Sequence, residues 1–136
     1  MSSCVACRAQ QGTVVHIESR GVPHGSPGHQ INYGWSSLTA CPECGSGLLV
    51  RFDHDCFQQP WEEPWDMDWS WPVATEGIQR LTAAVARCPD PLQPSCGCPV
   101  HRSLRDSTEE SLPRGVSVTV DLTEDGLPQV RSVGVR

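Results

Sequence analysis

The sequence contains no lysine. All ten basic residues are arginine, set against sixteen acids, and the net charge is −6. The missing lysine is read as codon bias and carries no functional meaning, but the acid excess does. A phosphate backbone rewards basic patches, so this composition argues against nucleic acid as the partner. Long apolar runs are also missing: no stretch approaches the roughly 18 residues of a membrane-crossing helix. The opening Met1-Ser2-Ser3-Cys4 has no basic region followed by an apolar one, so no signal peptide is expected and the cytoplasm is the expected location. Core-forming residues are scarce. Only 38% of the chain is hydrophobic and 6% aromatic, with 12 glycines and 12 prolines, which is thin for 136 residues. A bound metal is then expected to supply part of the folding energy. The eight cysteines fit that expectation, because thiols stay reduced in the cytoplasm and read there as ligands before disulfides.

Two pairs have the C-x-x-C spacing: Cys4-Val5-Ala6-Cys7 and Cys41-Pro42-Glu43-Cys44-Gly45. Two intervening residues let a tight turn aim both sulfurs at one point. Pro42 fixes one turn dihedral, and Gly45 permits a left-handed conformation after the second ligand. Four thiolates from two such turns suit tetrahedral Zn²⁺. At Cys41-Pro42-Glu43-Cys44-Gly45 the chain resembles the zinc-ribbon and rubredoxin-like knuckle group, over roughly its first third to half. The resemblance implies a ribbon fold and a metal held by Cys4, Cys7, Cys41 and Cys44. Two departures stand. The knuckles lie farther apart than the usual ~15–20 residues, and Arg8 replaces the glycine that follows the second cysteine in rubredoxin-like iron sites, which tilts the choice toward zinc. Disulfides or free thiols are the alternative.

Between the knuckles, the β-branched run Thr13 to Ile17 predicts a strand. Gly21 to Gly34 is turn-rich and predicts an inserted loop, with His24 and His29 read as solvated loop histidines. Tyr33 to Thr39 returns as a strand, and Leu48 to Cys56 predicts another. On that last strand alternation puts His54 and Cys56 on one face, where a nucleophile–base pair or metal ligation competes with plain burial. Pro60 to Pro72 holds four of the five tryptophans, and Phe52 to Gln79 has seven acids and no arginine. The prolines exclude one long helix. The aromatics either cap the core or form a protein-binding surface, with Trp61, Trp65, Asp66, Asp68, Trp69 and Trp71 as contacts for a partner with a basic surface.

Thr75 to Arg87 predicts a helix: Ile78, Leu81 and Val85 form one apolar stripe, and Thr75 is the expected N-cap. A stiff proline loop leads to Cys96-Gly97-Cys98-Pro99-Val100-His101, with a helix expected from Pro99 to Ser111. Cys88, Cys96, Cys98 and His101 make up a Cys₃His donor set for a second zinc. Gly97 is expected to let both thiolates turn to one point. Redox activity of Cys96 or Cys98 is the alternative. Val116, Val118, Val120 and Leu122 alternate, Glu124-Asp125-Gly126 signals a turn, and Val130 to Val135 returns, with a register change expected near Arg131-Ser132.

The expected architecture is a small α+β domain: a zinc ribbon with an inserted loop (1–58), an acidic Trp/Pro-rich segment (59–72), a helical part with the second metal site (73–112) and a C-terminal β-hairpin (113–136). Two closed zinc sites imply a non-enzymatic adaptor, inhibitor or regulatory subunit that binds another protein. The competing expectations are a rubredoxin-like iron electron carrier, a zinc hydrolase, and a nucleic-acid-binding ribbon.

Overall fold

Alternating apolar residues build most of this molecule, and they build a single sheet. A computed structural model of the chain describes residues 10–19, 33–55, 65–108 and 112–135. In chain order the elements are β1 (Gly12–Ser19), β2 (Tyr33–Ala40), β3 (Gly47–Asp55), β4 (Trp65–Val73), α1 (Thr75–Val85), α2 (Pro99–Thr108), β5 (Val116–Leu122) and β6 (Pro128–Val135). The six strands lie in sequence order in one sheet, curled as a half-barrel.

This arrangement corrects the expected α+β zinc-ribbon fold. The reason lies in β4. The expected architecture sets the tryptophan-rich stretch (59–72) apart from the ribbon. Instead, residues 65 to 73 pair antiparallel with β3 along their whole length, from Asp55↔Trp65 to Gly47↔Val73. Trp65, Met67, Trp69, Trp71 and Val73 occupy alternate positions with Asp66, Asp68, Ser70 and Pro72 between them, which is the period of a half-buried strand. Trp71 and Val73 are buried, whereas Asp68, Ser70 and Pro72 are exposed. The first three strands therefore continue into a fourth. The terminal hairpin is not separate either, because β5 joins β4 in parallel at Val73↔Val118. Among the described residues that bridge is the only β4–β5 pair, so the sheet consists of a four-stranded meander and a two-stranded hairpin stitched at one point.

The helices bridge β4 and β5, as a parallel connection requires. α1 packs on β5, and α2 packs on β6 and β1. Ile78, Leu81 and Val85 of α1 and Val100 and Leu104 of α2 enter one core with Val15, Leu38, Leu49 and Val120 from the strands. Leu81 and Leu104 are fully buried, each contributing about 1.5–3 kcal/mol of burial energy. The N-cap of α1 is Ala74 and makes no side-chain cap bond, so Thr75 lies inside the helix rather than capping it. The β5–β6 turn places Gly126 at φ +76°, with Gly126 N–H donating to Thr123 O at 2.9 Å. The register shift between these strands falls at Val116/Ser117, opposite residues 133 to 135, and not at Arg131-Ser132. Among the described residues no helix is long and apolar enough to cross a membrane.

One close approach fixes how α1 sits on the meander. A Cβ at Gly47 would lie 2.1 Å from Thr39 O and 2.5 Å from Ile78 Cδ1. Gly47→Ala is expected to cost about 1–3 kcal/mol in urea unfolding, because backbone and helix must both move. Gly12→Ala, where a Cβ would meet nothing within 4 Å, is expected to change stability by less than about 0.5 kcal/mol.

Candidate metal centre

α1 stops at Val85, and Cys88 N–H closes the last turn on Val85 O at 2.9 Å. The chain then cannot coil further, because Pro89, Pro91 and Pro94 each lack a donor and fix a dihedral. Their carbonyls remain free to accept. His16 N–H donates to Pro91 O at 2.9 Å and Glu18 N–H to Pro94 O at 3.0 Å, so the loop runs along the outer edge of β1. It delivers Cys96 and Cys98 to the start of α2. Pro99 occupies the first helical position, where a missing N–H costs nothing. Cys98 caps the helix: its Sγ accepts from His101 N–H at 3.4 Å, and its carbonyl accepts from Arg102 N–H at 3.0 Å.

These elements bring Cys88, Cys96, Cys98 and His101 together, with all four ligand atoms within 4.8 Å of one another. The Cys88 sulfur lies 3.8 Å from that of Cys96, 3.4 Å from that of Cys98 and 3.2 Å from His101 Nδ1. The Cys98 sulfur is 3.5 Å from the same nitrogen. Zn–S bonds of about 2.3 Å in a tetrahedron place sulfurs about 3.8 Å apart, so the donors already have nearly the spacing that such an ion imposes. His101 is fully buried and Cys88 nearly so, while Cys96 and Cys98 are half-buried.

The orientation of His101 is set by its far side. Nε2 lies 3.0 Å from His16 O. A carbonyl only accepts, so Nε2 carries the proton and Nδ1 turns its lone pair toward the three sulfurs, as a metal ligand must. Burial and the neighbouring His101 hold the His16 imidazole below its usual range. Burial pushes the Cys88 thiol up to about 12; the Asp90 backbone opposes this, and hydrogen bonds with Cys98 and Cys96 add to it. Burial also acts upward on Cys98, but hydrogen bonds from the His101 backbone and ring and from the Cys88 and Cys96 thiols outweigh it, bringing Cys98 down to about 6. The Cys98 thiolate is thus present near neutral pH, and a divalent cation would ionise the Cys88 thiol as it binds. The cluster can hold a metal ion such as zinc.

Gly97 departs from expectation. It does not adopt a left-handed conformation, and a Cβ there would meet nothing within 4 Å. The convergence of Cys96 and Cys98 comes from the proline loop and the helix start rather than from glycine's freedom.

Of the other proposed ligand set, Cys4 and Cys7 lie outside the described residues, as do His24, His29 and Cys56. Cys41 is buried and Cys44 exposed. They flank a tight turn in which Gly45 N–H donates to Cys41 O at 3.0 Å, Glu43 N–H points at Cys41 Sγ at 3.4 Å, and Gly45 takes φ +78°. Backbone donors aimed at sulfur are what a metal knuckle uses to spread thiolate charge. Of the candidate partner contacts, Trp61 lies outside the described residues. Trp65 and Asp66 are placed on β4, and His54 sits opposite Asp66 on β3. Asp68 is exposed. Trp69 is half-buried with Arg114 Cζ 5.9 Å above its ring, and Trp71 is core, its Nε1–H donating to Pro113 O at 2.9 Å. Asp68, Trp69, Ser70, Trp71, Arg114 and Gly115 line an open groove where β4 and β5 diverge.

Sequence reasoning missed Arg105. It stands one helical turn beyond His101, is 7% exposed, and donates to the carbonyls of Glu18, Pro94 and Cys96. The spacing of four from a ligand histidine was the available signal. Comparison with models of known families, with curated proteins and with solved structures finds no match.

Two outcomes are expected here. In chelator-treated protein, a short iodoacetamide pulse at pH 7 labels Cys98 ahead of Cys88, because the first thiol is mostly ionised above about 6 and the second is not below about 12. Labelling of Cys98 should rise through pH 6 and then level off; mass spectrometry of the peptides reads both. Gly97→Ala should leave metal affinity within about threefold in chelator competition.

Proposed function

We propose that this chain is a zinc-stabilised, non-enzymatic module that binds another protein. The observation that carries the reading is the Cys₃His cluster. Four protein donors lie within 4.8 Å of one another with the histidine's outer nitrogen anchored on β1, and four protein ligands would leave no open position at which a bound ion would activate water. The metal would then act by closing a long proline loop onto the sheet and stabilising a thin core. Two zincs per chain are proposed. The Cys41–Cys44 turn has knuckle-like donors, and the pairing Gly12↔Ala40 brings the chain that follows Cys4 and Cys7 to the same end of the sheet. A reducing compartment such as the cytoplasm suits these thiols.

For the partner, we place the contact on the β4 side of the sheet, where exposed Asp68 and half-buried Trp69 border the groove between the diverging strands. Acid beside an aromatic ring fits a basic protein segment. Trp71, being core, supports this surface from beneath.

Protein purified without added metal is expected to be colourless and to carry two zincs per chain by elemental analysis and native mass spectrometry. One zinc would overturn the knuckle site, and iron with visible absorption would replace the reading with electron transfer. Stripping the metal should lower the unfolding midpoint. On an array of arginine- and lysine-rich peptides, Asp68→Lys should weaken binding by about fivefold or more without changing the metal count. Equal binding by both proteins would remove β4 as the contact.

A further inference from the structure

Arg105 poses a charge problem. Its side chain is buried on α2, with residue exposure of 7%. Nε donates to Glu18 O at 3.3 Å, and Nη2 to Pro94 O at 3.3 Å and Cys96 O at 3.4 Å. Every acceptor is a neutral carbonyl, and among the described residues Arg105 makes no ion pair. Guanidinium stays charged at any working pH. A buried charge with only dipoles around it is costly, and folded proteins rarely keep one.

The metal centre poses the complementary problem. A divalent ion with three thiolates and a neutral imidazole carries one unit of negative charge. Cys88 and His101 are buried and Cys96 and Cys98 half-buried, so water screens that unit only in part. Arg105 reaches the same loop from the same helix face as His101. One of its donors lies on the carbonyl of a ligand residue, Cys96, and another lies on Pro94 in the loop that delivers that ligand.

We propose that Arg105 is the counter-charge of the metal centre: its guanidinium balances the single negative charge of a divalent ion bound by Cys88, Cys96, Cys98 and His101, and sets the affinity of the cluster for such an ion. The inference rests on the metal reading above. Each charge makes the burial of the other tolerable. Arg105 also holds the ligand loop and β1 in place through its three carbonyls, so the charge role must be separated from the positioning role.

Changing the charge of the centre separates them. Cys96 is half-buried, and Cys96→His turns the donor set into Cys₂His₂, which is neutral with a divalent ion. The full chain carrying Cys44→Ser, which disables the other knuckle, is titrated with Co²⁺ against a chelator, and the thiolate–cobalt absorption reports occupancy. Arg105→Gln, which keeps donors but loses charge, is expected to weaken binding about tenfold or more in the Cys₃His protein and less than about threefold in the Cys96→His protein. Arg105→Lys keeps the charge but not the fork of donors, so it should weaken binding less than Arg105→Gln in the Cys₃His protein, and by the same factor in both backgrounds. The same penalty for Arg105→Gln in both backgrounds, or an equal loss with lysine and glutamine, would overturn the pairing and leave Arg105 a positioning residue. If Arg105→Gln does not fold, circular dichroism shows it, and Arg105→Lys carries the test alone: a loss of tenfold or more in the Cys₃His protein overturns the proposal. A chain with native Arg105 that takes up no Co²⁺ overturns the metal reading itself; one that binds, with Arg105→Gln binding equally well, overturns only the pairing.

Discussion

The His101 ring joins two parts of the molecule that lie 85 residues apart in the chain. One nitrogen faces the sulfurs of Cys88 and Cys98, and the other holds the backbone of β1 at His16. Because the ring is rigid and fully buried, neither side can shift without the other. The ligand loop, α2 and the first strand are therefore positioned by one imidazole. The contact extends across the neighbouring strands as well. The His16 side chain bonds Ser37 at 2.6 Å and lies against Trp35, whose ring stacks on Phe52. A metal at the cluster would thus be coupled through β1 to β2 and β3.

A second consequence concerns the edge of the sheet. An outer strand presents unpaired backbone groups that invite pairing with other chains. On β1 the outward groups of His16 and Glu18 are all occupied. Their N–H groups donate to Pro91 and Pro94, and their carbonyls accept from His101 and Arg105. The proline loop cannot form a regular strand, yet its carbonyls serve as a partial one. The ligands of the cluster thereby belong to a seal along β1, and loss of metal would loosen that seal at the loop before it loosened the core beneath.

The chemistry-bearing part of this arrangement was largely visible in the chain. Cys96, Cys98 and His101 are spaced for one turn and one helix start, Cys88 follows an apolar helical stripe, and both helices were readable from that periodicity. What stayed hidden were long-range relations. The strand β4 was masked because Pro60, Pro64 and Pro72 drew attention from the alternation of Trp65, Met67, Trp69, Trp71 and Val73. The β4–β5 stitch at Val73↔Val118 depends on a parallel crossover that local pattern does not encode. Nothing local marks Arg105 as buried, since most charges on a helix are solvated; only the three-dimensional packing buries it. Glycine at position 97 misled in the other direction, because prolines in the preceding loop do the turning.

A metal ion held by Cys88, Cys96, Cys98 and His101 would fix the edge of β1 through the loop and His101. Amide hydrogen exchange of the full chain, with metal and after chelation, tests it most directly. His16 and Glu18 amides are expected to lose protection on metal removal, while those of Val118 and Val120 in the β5 interior keep theirs. Unchanged protection at His16 and Glu18 in a protein shown to have lost its metal would contradict it.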